Sequence, residues 1–406
     1  MNSPLALYVH IPFCETKCPY CDFNTYAGIE NLIPSYVTAL EKDLRQWGDR
    51  LGKPQVGSVF WGGGTPTYLP TKDVARLMHA IDASFDLSHE TEATIEANPG
   101  DCSRDRLHSF RTSGFNRISI GVQSLDNNEL QMLGRRHDAA GAIRAFHSAR
   151  AAGFENINLD LMFGLPRQFA SFWEQTVKEI INLGSEHISA YSLTLEPNTP
   201  MEIDVRKGRI QDPDPDIAAE MYGIGQTMFA SAGFEQYEIS NWAQPGFQSI
   251  HNLAYWHSTP YLGIGPGAHS YLHGSLVPDI GNFGVRFSMM RSPRAYIRSI
   301  EEFSSSGRID GQFLAQLPSI EECSELERRT AMGEAMMMGL RLNKGVSNTD
   351  FEKRFGESID EAFPAATVDC IELDLLRWKH DYLELTDFGR LLGNEAFGRF
   401  IEEASS

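Results

Sequence analysis

The sequence predicts an α/β fold, a parallel sheet covered by helices, followed by a smaller and mostly helical C-terminal part. Three observations carry this expectation. Short runs rich in apolar and β-branched residues recur at intervals of about 25 to 50 residues, and segments of helical period lie between them. The alternation repeats about six times and stops near residue 205, where the chain changes character. Such a rhythm predicts a parallel sheet that is either doubly wound or curled into a full or partial barrel.

The strand runs are LALYVHI (5–11), VGSVFWGGG (56–64), ATIEANP (93–99), RISIGVQS (117–124), INLDLMFGLP (157–166) and HISAYSLTL (187–195). Each is short and nearly continuous in apolar character, as a strand buried on both faces should be. Between them, PSYVTALEKDLRQWGDRL carries Pro34 near its start, TKDVARLMHAIDASF offers Thr71 as an N-cap, and DAAGAIRAFHSARAAG closes on Gly153. These read as helices.

Beyond residue 205, KGRIQDPDPDIAAEM combines three Asp and two Pro and reads as a linker or exposed turn. The stretch to about residue 300 is rich in aromatics and glycine and contains HNLAYW (251–256) and YLGIGPGAHSYLHG (261–274). In the last hundred residues ERRTAMGEAMMMGLRL has a helical pattern, with Met336–Met338 read as core, and WKHDYLELTDFGRLLGNEAFGRF reads as a hairpin followed by a helix. Three parts are therefore expected: 1–205, 206–300 and a C-terminal helical or winged-helix-like domain at 301–406. The only low-complexity tract is the short run Ser304–Ser306.

Composition narrows the function. With 42% hydrophobic and 22% charged residues the chain is an ordinary globular protein. A net charge of -19 argues against a nucleic-acid partner, because phosphate binding needs a surplus of Lys and Arg. No signal-peptide pattern and no apolar run able to span a bilayer is present, so the cytoplasm is the expected address. Thiols stay reduced there, and a tight Cys cluster is then a metal or redox site rather than a disulfide framework. Cys102, Cys323 and Cys370 are isolated in sequence and read as buried bystanders.

Cys14, Cys18 and Cys21 fall within eight positions, directly after the first strand. A tetrahedral zinc site wants a fourth ligand, for which His10 is a candidate, and a dithiol redox site wants only the CxxC pair. An iron–sulfur cube held by three thiolates keeps one iron open, and an open iron is a place for chemistry. The spacing CxxxCxxC after a first strand resembles the cluster motif of the radical S-adenosylmethionine (SAM) superfamily. That resemblance implies a partial (β/α)6 TIM-type barrel, a [4Fe-4S] cluster on Cys14, Cys18 and Cys21, and SAM on the open iron, cleaved to a 5′-deoxyadenosyl radical.

In a barrel, polar residues at the C-terminal ends of successive strands converge on one ligand. The second strand ends in WGGGTPT, where glycines allow close backbone approach and Thr65 adds a hydroxyl. The next three end in Glu96, Gln123 and Asp160, and Arg135 in LGRRHD can grip a carboxylate with its planar fork. The chain resembles the coproporphyrinogen-oxidase-like branch of the superfamily from YVHIPFC through GVQS, NLDLMFGLP and GIGPGAHSY to LTDFGRLLGN. Residue by residue, this implies Tyr8, Tyr20, Gly64, Thr65, Glu96, Gln123, Arg135 and Asp160 as SAM contacts.

Two departures separate the sequence from the oxidases of that branch. Phe23 stands where they carry a further cysteine, and Tyr8 already lies in the first strand, leaving no room for their longer N-terminal segment. CPYCDFN, the early start and HNLAYW resemble instead the haem chaperones of the branch. That implies haem as a third ligand, held by His251 with Tyr255 and Trp256 covering the porphyrin, since a neutral imidazole can ligate haem iron. His257, His269 and His273 remain alternative anchors. Haem-acceptor proteins, among them membrane-bound respiratory proteins, and a cluster-dependent homodimer are the implied partners. The rival class is a radical enzyme acting on coproporphyrinogen III or another tetrapyrrole. GIGPGAH lacks the GxGxxG spacing and reads as a turn near the ligand site.

Overall fold

A computed structural model describes residues 4–303 and 309–405; the Ser304–Ser306 run lies outside the described residues. Six strands alternate with helices: β1 (Leu5–Ile11), β2 (Gln55–Gly63), β3 (Asp86–Ala97), β4 (Arg117–Gln123), β5 (Asn156–Phe163) and β6 (His187–Ser192). They pair in sequence order and all in parallel. A doubly wound sheet reverses its order at a switch point, and this one does not. With right-handed crossovers, an unreversed order places every helix on one side, which is the winding of a partial barrel.

Side-chain alternation makes the two faces different. Leu7, Val9, Val59, Trp61, Ile95, Ile118, Ile120, Leu159 and Ile188 are buried in one hydrophobic core. The helices α1 (Ile33–Arg50) and α2 (Thr71–Ser84) contribute Leu40, Leu44, Trp47, Leu77 and Ile81 to the same core. Pro34 sits in the first turn of α1 as expected, whereas Thr71 is the first helical residue of α2 and makes no cap, the N-cap position being Pro70. The intervening strand positions, among them Tyr8, Ser58, Glu96, Ser119, Asp160 and Ser189, take the opposite face because successive side chains alternate. The barrel interior is therefore polar.

Residues 206–300 add to the same sheet. A turn follows the helix Pro200–Arg206, and the helix Pro215–Ser231 packs on the helix Ala170–Leu183. Five short strands come next: β7 (Glu235–Glu238), β8 (Asn241–Ala243), β9 (Tyr261–Ile264), β10 (His269–Leu272) and β11 (Val285–Met289). β8 pairs antiparallel with β6, and β9 pairs in parallel with β1. β10, β11 and β12 (Ile320–Glu325) continue outward from β9, giving a sheet of twelve strands. A C-terminal part was expected from residue 301, but Leu314 and Leu317 belong to the large core and β12 pairs with β11. Packing moves the transition to about Leu326.

From there a second core forms around Met332, Met336, Phe351, Phe363, Leu383 and Phe400. It is mostly helical, with a three-stranded sheet whose hairpin, Leu376–Lys379 and Tyr382–Leu385, turns at His380 (φ 55°). Met336 is fully buried in this core, and Met337 packs against it. Cys102 and Cys370 are buried, and Cys323 lies partly buried in β12.

Candidate cofactor site

The loop after β1 is fixed by backbone hydrogen bonds and by the side chains of His10, Lys17 and Asn24, which bond backbone carbonyls in and around it. Cys14 N–H donates to the Tyr26 carbonyl (3.0 Å), and Cys21 N–H closes a turn on the Cys18 carbonyl (3.1 Å). The ends of β1 and β2 are stitched together by Gly64 N–H to Ile11 O and Thr65 N–H to Phe13 O, both 2.8 Å. A Cβ at Gly64 would stand 2.6 Å from the Phe13 carbonyl oxygen and 2.7 Å from that of Ile11. Glycine at 64 thus serves the close approach of the cysteine loop itself. Thr65 hands its hydroxyl to the same loop, with Oγ1 3.5 Å from Cys14 Sγ.

All three thiols are free and line one cavity of about 470 Å³. Burial pushes the Cys14 and Cys21 thiols above their ordinary range. Facing them is Arg135, whose Nη1 lies 3.6 Å from Cys18 Sγ and whose Nη2 donates to the Gly121 carbonyl at 2.7 Å. Its Nε is buried without a partner. A buried cation lining a thiol-lined cavity, with one N–H unpartnered, suits an anionic ligand. Of the eight expected SAM contacts, Tyr20, Gly64, Thr65, Glu96, Gln123, Arg135 and Asp160 all line this cavity. Gln123 sits there at φ 68°, an uncommon backbone state for a side chain at a strand end.

Asp160 is held by donors: Ser119 Oγ to Oδ2 and Asn158 Nδ2 to Oδ1, each 2.8 Å. Asn158 in turn accepts from His187 Nδ1 (2.6 Å) and Ser189 (3.1 Å). Because the Asn158 amide oxygen can only accept, His187 carries its proton on Nδ1, and its Nε2 accepts from the Tyr237 hydroxyl at 2.9 Å. Glu96 faces Asp160, and burial together with that like charge pushes its carboxyl up to about 8. Deeper in the barrel, Arg117 (2% exposed) and Glu92 (5%) approach to 3.9 Å. None of Ser119, Gly121, Asn158, His187 or Arg117 stood among the candidates. The signal was present in RISIGVQ, NINLD and HISAYS, where every second residue is polar or glycine inside strands that should otherwise be continuously apolar.

Tyr8 is placed differently. It lines two neighbouring cavities, of about 650 and 210 Å³, and its hydroxyl lies 3.0 Å from His10 Nδ1. His10 does not join the cysteines: its Nε2 is 3.0 Å from the Asn24 carbonyl, and burial lowers its pKa to about 4. The zinc reading that relied on it loses its fourth ligand. Phe23 is 64% exposed and borders both the 470 and the 650 Å³ cavities, as do Gly63 and Glu96. The GIGPGAH turn borders the larger one through Gly267, Ala268 and His269.

HNLAYW forms a short helix, Ile250–Trp256, laid against β2. Its N-terminus is fastened inside the barrel by Glu92, which accepts from Ser249 Oγ (3.3 Å), Ile250 N–H (3.0 Å) and His251 N–H (3.1 Å). His251 is 1% exposed, stacked on Phe60 and bonded at both nitrogens, Nδ1 to Ser58 Oγ (2.9 Å) and Nε2 to Tyr255 Oη (3.0 Å). Burial holds its pKa near 3. Neither nitrogen is open in this conformation. Tyr255 borders the 650 and 210 Å³ cavities, whereas Trp256 lines none of the three and packs under the Arg341 guanidinium.

Comparison with known proteins agrees with this geometry. The profile of the Radical SAM superfamily matches residues 8–180, and that of the HemN C-terminal domain matches 326–392. A Bacillus subtilis (strain 168) protein named heme chaperone HemW is 36% identical over 399 residues, covering 98% of this chain and 99% of that protein. The chain belongs to the HemW family. The Escherichia coli (strain K12) HemW is 35% identical over 98% of this chain and 99% of its own length. A mouse relative, radical S-adenosyl methionine domain-containing protein 1, mitochondrial, is 38% identical over 87% of this chain and 76% of its own. Among solved structures, Escherichia coli coproporphyrinogen III oxidase (HemN) superposes with a TM-score of 0.79 at 23% identity, covering 98% of this chain and 90% of that one. That likeness shows the fold, the radical SAM partial barrel with a mostly helical C-terminal part.

Proposed function

We propose that this chain is a haem chaperone that carries a [4Fe-4S] cluster and SAM, takes haem as its cargo and passes it to acceptor proteins. The observation that carries the reading is the near full-length likeness to bacterial proteins named as haem chaperones. The donor set supports the cofactors. Three free thiols, a buried guanidinium beside Cys18 with an unpartnered N–H, and two carboxylates lining the same cavity fit a cluster and a zwitterionic nucleoside.

In this reading Cys14, Cys18 and Cys21 hold the cluster, which supplies an electron donor and an iron with an open coordination position. Arg135 grips the carboxylate of SAM with its fork. Glu96 and Asp160 accept from the ammonium and the ribose hydroxyls, Gln123 and Thr65 add neutral hydrogen bonds, and Tyr20 covers the ligand edge. Gly64 keeps the cysteine loop against β2. Tyr8 lines the larger neighbour and the 210 Å³ cavity instead of the cysteine cavity.

The cargo belongs in that neighbour, whose 650 Å³ lies within the range of roughly 300–1,000 Å³ common to small-molecule sites. Iron ligation by His251, expected from sequence, requires the Tyr255 hydroxyl to leave Nε2; with that bond in place, His251 positions Tyr255 at the cavity wall. The reading places the chain in the cytoplasm, with respiratory proteins at the membrane as acceptors and a homodimer that forms when the cluster is loaded.

Haem titration of the cluster-loaded protein, followed by transfer to an apo acceptor, tests the proposal. Stoichiometric uptake and transfer are expected, and failure to take up haem defeats it. The shared fold with coproporphyrinogen III oxidase keeps one second reading in view, radical decarboxylation of that substrate. Anaerobic turnover of coproporphyrinogen III to protoporphyrinogen would decide for it; with Phe23 at the position of the additional cysteine, no turnover is expected.

A further inference from the structure

The 650 Å³ cavity contains two histidines, and only one has a free ring. His10 is bonded at both nitrogens. His269, the first residue of β10, is exposed to the cavity, and its ring makes no hydrogen bond among the described residues. The other candidates are either bonded or outside this cavity. His251 is bonded at both nitrogens, His273 Nε2 lies 2.8 Å from the Tyr271 hydroxyl, and neither His273 nor His257 lines the cavity.

We propose that His269 is the imidazole that ligates haem iron, an inference that rests on the haem-chaperone reading and deepens it. A neutral imidazole with an open nitrogen can ligate ferric or ferrous haem. The walls beside it suit a porphyrin: Tyr8, Tyr255 and Tyr261 offer aromatic surface, and Met289 adds a soft apolar contact. At the rim stands Arg291, exposed and without an ion pair among the described residues, a natural partner for a propionate. His269 is held rigidly while its ring stays free. β10 pairs His269 with Ser288 of β11, and the Gly263 backbone packs so closely on the His269 carbonyl that no side chain fits at 263. Iron bound there lies one wall away from the cysteine cavity, since Gly63, Glu96 and Phe23 border both.

The test is haem titration of the full-length, cluster-loaded protein, read by affinity and by the iron–imidazole stretch of the ferrous form in resonance Raman spectra. His269→Ala is expected to lose that band and to bind haem at least tenfold more weakly, with added imidazole restoring the band. His269→Met should bind with a thioether signature. His251→Asn, which keeps a polar group toward Ser58, should retain the band. An unchanged band in His269→Ala, or a band lost in His251→Asn alone, overturns the assignment while leaving the chaperone reading intact. A wild-type protein that takes up no haem overturns the chaperone reading, and this inference with it.

Discussion

Two cavities meet at Phe23, Gly63 and Glu96, yet they are built on opposite lines. The one at the cysteines is walled by the ends of β2 to β6, and behind it the polar side chains bond one another in a chain from Asp160 through Asn158 to His187 and Tyr237. The other lies between β1 and the strands β9 to β12; His10 and Asn24 in its wall are bonded, but the side chains of His269 and Arg291 are uncommitted among the described residues. Interlocked donors and acceptors fix geometry in advance, which suits a cofactor that stays. Free side chains in an open space suit a cargo that must also leave.

This contrast can be broken by experiment. The largest effect is expected at the thiols: Cys14→Ser, Cys18→Ser or Cys21→Ser should each abolish iron and sulfide retention after anaerobic reconstitution while haem affinity stays within about threefold, less than 1 kcal/mol. Joint loss of both ligands would show that the cavities act as one. Next, Arg117→Met leaves Glu92 buried without its cation, and unfolding by denaturant should show a loss of about 3–5 kcal/mol. Gly64→Ala should cost about 1–3 kcal/mol by overpacking and lower cluster occupancy, because the loop carbonyls have nowhere to move.

Acidity offers a subtler probe. Glu96 holds its proton in the folded protein up to about 8 but gives it up near 4.5 when unfolded. Unfolding therefore releases a proton between those values, so the contribution is complete below about 4.5 and lost as pH rises toward 8. The cofactor-free protein should lose stability across that window, with a slope contribution of up to about 1.4 kcal/mol per pH unit. Glu96→Gln should remove that contribution in denaturation curves taken at several pH values. The smallest effect belongs to the open cavity: Arg291→Ala should change stability by less than about 0.5 kcal/mol, while weakening haem binding a few-fold.

The barrel and the cysteine loop were legible because their signals are local. Strand runs at regular intervals and a three-residue spacing need no knowledge of distant contacts, and six strands fall where those runs stood. The strand-end residues were legible for the same reason, since one topology rule collects them. What remained hidden depends on pairing. β7 to β11 are three to five residues long and rich in aromatics or glycine, so no period shows, and β12 joins the large sheet only through its partner β11. His251 drew attention because it sits in an aromatic motif, but whether an imidazole is open is decided by Ser58, which lies 193 residues away. His269 offered no local sign that its ring would be the one left free at the cavity.

The way the sheet is closed has a consequence for dissection of the molecule. Both margins of the six-stranded arc are covered by strands from the following segment, β9 along β1 and β8 along β6. The same segment brings the donors that satisfy Glu92 in the barrel. A fragment ending at residue 205 would present two bare backbone ladders and an internal carboxylate left with Arg117 but stripped of its three N–H and O–H donors, inviting edge-to-edge association instead of folding. The six-stranded arc is thus, in this chain, a pattern in the sequence without being an autonomous module. Swapping it between relatives would require carrying residues 206–300 along with it.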